Sequence, residues 1–134
     1  LQLGKAEILR KGEPLALVGY GATVKICLDA AEILAHSGHS PTVVNLRWVR
    51  PLDKILLKNL VTEHQFVVVV EDHTICGGVG SAILEMLSGT KESACVRIIA
   101  LPDKFVEHGS RAELLSNCGI TEERVAQICS KLLR

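Results

Sequence analysis

The chain has 134 residues, 48% of them hydrophobic and only 3% aromatic, and its fifteen basic residues balance fifteen acidic ones. That size fits one domain, residues 1–134, built on an aliphatic core. The neutral balance has no basic stripe to draw a nucleic acid or an anionic membrane, and no apolar run approaches the roughly 20 residues that span a bilayer. Leu1 is followed by no signal or transit pattern, and the one methionine is Met86, so the sequence reads as a segment of a longer polypeptide. Cys27, Cys76, Cys95, Cys118 and Cys129 are odd in number and form no CxxC pair. They imply a reducing compartment and no disulfide framework.

Gln2 to Arg10 mixes polar and apolar residues on both parities, which predicts a half-exposed edge strand. Lys11-Gly12-Glu13-Pro14 is a turn, and Leu15 to Gly19 is a buried strand. Thr23 is placed to cap a helix whose apolar face is Val24, Cys27, Leu28, Ala31, Leu34 and Ala35. Gly38 ends it, and Pro41 prevents its continuation. Thr42 to Leu46 is the next strand, followed by a connecting loop, Arg47 to Leu52. Asp53 caps a helix with Ile55, Leu56, Leu57 and Leu60 on its apolar face.

Phe66 to Val70 ends in four consecutive valines and has no polar side, so it should be buried on both faces. Glu71 to Ser81, at the C-terminal end of this strand, is the first place to look for function, and a helix follows from about Val79 to Leu87. Val96 to Leu101 is the last strand. Ser110 and Glu113 form a capping box for a short helix to about Asn117. Thr121 caps the final helix, whose buried face is Val125, Ile128, Cys129 and Leu132. The fold class is therefore α/β, a three-layer α/β/α sandwich. Its five-stranded sheet is mostly parallel, because helices separate the buried strands and crossovers between parallel strands are right-handed. The first strand reaches the second by a turn too short for a parallel crossover, so it should be an antiparallel edge.

In such folds, sites form in loops at the C-terminal ends of strands. The turn Gly77-Gly78-Val79-Gly80-Ser81 could cradle a phosphate at a helix N-terminus, but it is neither a P-loop nor G-x-G-x-x-G. Tight helix-to-sheet packing is its plainer use. Glu71, Asp72 and His73 offer two carboxylates and an imidazole at a strand end, with Glu71 suited to pairing with an arginine or a backbone amide at a domain contact. Arg47, Trp48 and Arg50 suit a protein interface better than an anion site. His108 lies in PDKFVEHGS without a complete nucleophile–base set, and His36 with His39 lacks the further ligands that zinc requires.

Three segments taken together carry a family resemblance. VVNLRWVRPLD (Val43 to Asp53), VVEDHTICGGVGSAILEML (Val69 to Leu87) and LPDKFVEHGS (Leu101 to Ser110) resemble the C-terminal domain of 1-deoxy-D-xylulose-5-phosphate synthases, of the transketolase family. The PLD and GG-x-G-S segments are shared with transketolases and 2-oxoacid dehydrogenase beta subunits, whereas LPDKFVEHGS points to the synthases and VEDH leans towards transketolase. The resemblance implies a parent enzyme that condenses pyruvate with glyceraldehyde 3-phosphate, with loss of carbon dioxide, to feed isoprenoid, thiamine and pyridoxal synthesis. It implies thiamine diphosphate and magnesium in the parent but no cofactor, metal or catalytic residue in this segment, which carries no GDG motif with a downstream asparagine. Its partners would be the other domains and a second subunit of a homodimer, met through Arg47, Trp48, Arg50, Glu71, Asp72, His73, Gly77, Gly78 and His108. The location would be the cytoplasm, or a plastid in an organism that has one. A transketolase parent, a dehydrogenase beta subunit and a stand-alone phosphometabolite-binding module remain alternatives.

Overall fold

The computed structural model describes residues 2–74, 78–101 and 120–134. The strands are β1 (Glu7–Arg10), β2 (Leu15–Gly19), β3 (Thr42–Asn45), β4 (Phe66–Thr74) and β5 (Val96–Leu101). The helices are α1 (Thr23–His36), α2 (Lys54–Glu63), α3 (Val79–Met86) and α4 (Glu122–Leu132), with a 3₁₀ turn over Lys91–Cys95. The five strands form one sheet in the order β1-β3-β2-β4-β5. β3, β2, β4 and β5 are parallel, and β1 runs antiparallel to β3. The antiparallel edge strand is as expected, although it lies beside β3 and not beside β2.

Alternation along the strands sorts the core into two layers. Leu15, Leu17, Val43, Val68 and Val70 face α1 and α4. Ala16, Val18, Val44, Val67, Val69 and Val96 face α2 and α3. The sandwich therefore has α1 with α4 on one side and α2 with α3 on the other, as the unbroken apolar strands require. Gly19 admits the first turn of α1, since a Cβ there would stand 2.8 Å from the Val24 Cα.

Several local expectations change, among them Ala35, which is exposed on α1 where Ala30 is buried, and the first strand, which begins at Glu7. Thr23 is the first residue of α1 and not its cap; the cap position is Ala22, which makes no side-chain cap bond. Helix α2 buries Leu57, Leu60 and Val61, while Ile55 is 69% exposed. β4 does not stop at Val70 but continues to Thr74, so Glu71, Asp72 and His73 belong to the strand. The pairing with β5 shifts between Val70 and Thr74, a bulge that a run of polar residues does not announce. In α4, Ala126 joins Val125 and Cys129 in the buried set, with Ile128 half-buried. The caps at Asp53 and Thr121 form as expected, accepting from the amides of Leu56 and Arg124. The helix expected from Ser110 to Asn117, together with Gly77, Cys76, Cys118 and His108, lies outside the described residues.

Candidate functional site

Helix α1 carries the chain from β2 to β3 on one side, and α2 carries it back past β2 to β4 on the other. The strand order thus reverses between β2 and β4, where open α/β sheets place ligands, outside the C-terminal ends of the strands. Two contacts stitch the described part of this crevice. The Thr23 Oγ1 hydroxyl donates to the Val70 carbonyl at 2.6 Å, joining the start of α1 to β4. Glu71 follows Val70 on the face shared with Val69, which turns its side chain towards α3.

Glu71 is 0% exposed. Its Oε1 accepts from the Val79 amide at 2.8 Å, and its Oε2 accepts from the Gly80 amide at 2.5 Å. The carboxyl group therefore occupies the amides that a phosphate would use at a helix N-terminus. Gly78, at the cap position, makes no side-chain cap bond, so Glu71 supplies the cap from the preceding strand. Gly80 completes the fit: a Cβ there would lie 2.6 Å from the Ile98 side chain and 3.0 Å from Glu71 Oε2. The tight-packing use of the glycine turn is the one the geometry realises. Glu71 meets backbone amides, as its sequence position suggested, but inside the domain and not at a surface contact.

The loop between β3 and α2 is a different kind of place. Arg47 has φ +63°, in the left-handed region, and its amide bonds Asn45 Oδ1 at 3.1 Å. Its guanidinium pairs with Glu7 of β1. Asp53 holds the far end, accepting from Leu56 N at 3.1 Å and from Ala6 N at 2.9 Å. Between these anchors, the buried indole Nε1 of Trp48 has no hydrogen-bond partner among the described residues. Arg50 is exposed beside an open trough of about 550 Å³ that reaches α3. Arg47, Trp48 and Arg50 are therefore grouped in one constrained loop. Asp72 and His73 lie on β4.

A second depression, of about 500 Å³, lies between the β1–β2 turn and α2. At its floor, His64 places Nε2 2.8 Å from Thr42 Oγ1 and Nδ1 2.9 Å from the Leu60 carbonyl. Thr42 Oγ1 also accepts from the Gly12 amide at 2.9 Å. Neither His64 nor Thr42 stands out in the sequence, because, Leu60 apart, their partners come from segments 22 to 52 residues away. Burial pushes the Cys27 and Cys129 thiols up to about 12, and also raises Cys95, so none is poised as a nucleophile. No cluster of three or more His, Cys, Asp or Glu side chains suited to a metal occurs among the described residues. Nor is any described helix long and apolar enough to cross a membrane.

The family model described as "Transketolase, C-terminal domain" matches residues 4–125. A 1-deoxy-D-xylulose-5-phosphate synthase of Nitrosococcus oceani is 45% identical over 127 residues, covering 95% of this chain and 19% of that protein. The synthase of Caldanaerobacter subterraneus is 45% identical over 124 residues, 92% of this chain and 20% of that protein. The chain thus spans about a fifth of the length of the curated relatives it matches. Among solved structures, a split-gene transketolase described as an inactive beta4 tetramer has a TM-score of 0.87 at 28% identity, over 98% of this chain and 43% of that one. A Campylobacter jejuni transketolase has a TM-score of 0.68 at 18% identity, over 96% of this chain and 18% of that one, a likeness of fold alone. Sheet order, the antiparallel edge and the sequence from residue 4 to residue 125 agree: the chain belongs to the transketolase C-terminal domain family.

Proposed function

We propose that this is the non-catalytic C-terminal domain of a thiamine diphosphate-dependent synthase, which condenses pyruvate with glyceraldehyde 3-phosphate to 1-deoxy-D-xylulose 5-phosphate. The observation that carries the reading is the 45% identity to curated synthases along nearly the whole chain. The internal use of Glu71 and Thr23 supports the non-catalytic part, because the crevice where the fold would hold a ligand is tied by the domain's own groups. In this reading, thiamine diphosphate and magnesium bind to the rest of the parent, where the cofactor supplies the carbanion chemistry. The residues of this chain hold neighbouring domains and a second subunit of a homodimer, with the Arg47–Arg50 loop as a contact. The product would enter isoprenoid synthesis, and the enzyme would work in the cytoplasm, or in a plastid, without nucleic acid or membrane.

A carboligation assay on the full parent gene product tests this. It contains pyruvate, glyceraldehyde 3-phosphate, thiamine diphosphate and magnesium, and follows carbon dioxide release and the five-carbon product. Activity in the parent and none in the 134-residue chain is expected. An inactive parent, or a chain that turns over alone, refutes the reading. A transketolase parent is the second reading, favoured by the TM-score of 0.87 to the split-gene transketolase. Turnover of sugar-phosphate donors in place of pyruvate would establish it.

A further inference from the structure

Helix α2 carries its charges against its own dipole. Lys54 opens it and Glu63 closes it, with no acidic residue in the first turn and no basic residue in the last. A cation at a helix N-terminus is unfavourable, and one turn on Lys58 adds a second positive charge on the same side. Helix α4 shows the ordinary arrangement, with Glu122 and Glu123 first and Lys131 last. Asp53 caps the N-terminus of α2, so Lys54 and Lys58 gain nothing from the dipole of their own helix.

Both lysines face the trough of about 550 Å³ between α2, α3 and the Arg50 loop. Among the described residues that line it, Arg50 is the third cation and Glu85 the one carboxylate. Among the described residues, the ion pairs are Arg10–Glu32, Lys25–Asp29 and Arg47–Glu7, none of which involves these three cations. The trough's apolar lining includes the half-buried Leu52 and Met86, the latter an adaptable contact. The loop above is already constrained by the Arg47 and Asp53 anchors, so little order is lost on binding there. A small phosphate fits less well. The N-terminus of α2, whose Lys54 lines the trough, is already capped by the Asp53 carboxylate.

We propose that this trough docks an acidic segment of polypeptide, with its carboxylates on Arg50, Lys54 and Lys58 and an apolar side chain on Leu52 and Met86. The proposal rests on the contact role proposed above and gives that contact a place and a chemistry. Trp48 is the one tryptophan, so its fluorescence reports on the adjoining loop. The chain is titrated with a synthetic twelve-residue alternating Glu-Leu peptide, the matching Lys-Leu peptide and inorganic phosphate.

A saturable emission change with the Glu-Leu peptide alone is expected. The affinity should fall at least about tenfold in Lys54→Glu/Lys58→Glu, roughly the worth of two exposed ion pairs. Arg50→Glu gives the same readout should the double variant lose its folded spectrum. No response, equal responses to the two peptides, saturation by phosphate alone, or unchanged affinity in the folded variants overturns the proposal. Carboligation is not read here. An inactive parent would sink the synthase reading and leave the docking result standing, while absent peptide binding would do the reverse.

Discussion

Replacing Glu71 tests the account of the crevice directly. In Glu71→Ala, the amides of Val79 and Gly80 lose their acceptor inside a site with 0% exposure. A buried donor left without a partner costs about 1–3 kcal/mol, so two cost about 2–6 kcal/mol, with a cavity term in addition. Against the 5–15 kcal/mol that holds a typical domain folded, that is a large fraction. Glu71→Gln keeps the volume and one accepting oxygen but turns an amide donor towards the second N–H. Its cost should be about half that of alanine, roughly 1–3 kcal/mol. Urea unfolding of both variants, compared by midpoint at equal slope, measures the difference. A loss below about 1 kcal/mol for Glu71→Ala would show that water or another group serves these amides and that the carboxyl is no cap. Alanine and glutamine costing the same would equally refute the two-bond geometry.

Two further outcomes follow from the geometry. A Cβ at Gly12 would stand 1.7 Å from the Ser40 carbonyl oxygen, a backbone atom that cannot swing aside. Gly12→Ala should therefore cost about 3 kcal/mol or more in thermal or urea unfolding, and a near-neutral result would refute that close approach. The Cys27 and Cys129 thiols titrate near about 12 when folded, against the ordinary 9.0. The unfolded chain releases these protons first, so the contribution is intact below 9.0 and is lost as pH rises towards about 12. Stability should fall across that window by up to about 1.4 kcal/mol per pH unit per thiol. Cys27→Ala/Cys129→Ala should flatten the slope, and an unchanged slope in urea melts would refute the assignment.

What could be read from the sequence depended on the range of the interaction. The valines of β4 announced a two-sided strand because burial needs no particular partner. Asp53 and Thr121 announced caps because their amides lie three residues away. Thr23 looked like another cap, yet its hydroxyl reaches Val70, 47 residues along the chain. Glu71 looked like the start of a loop because an isolated carboxyl suits solvent, and only the approach of α3 gives it a place inside. Ile55 shows the limit of periodicity: two adjacent apolar stripes were available on α2, and the sheet selected the one through Leu57 and Val61. The Arg47–Arg50 group was legible as a cluster from spacing alone, but its continuation to Lys54, Lys58 and Met86 needed the packing of α2 beside α3.

The cap on α3 also bears on how the domain opens. Amides in the first turn of a short helix usually exchange with solvent early, because helix ends fray. Here the acceptor of two of them is rooted in the sheet, eight and nine residues back. Val79 and Gly80 cannot be released without either moving α3 off the sheet or pulling the end of β4 out of it. Strand and helix thus form one cooperative unit, and local motion at this end of the domain must involve both.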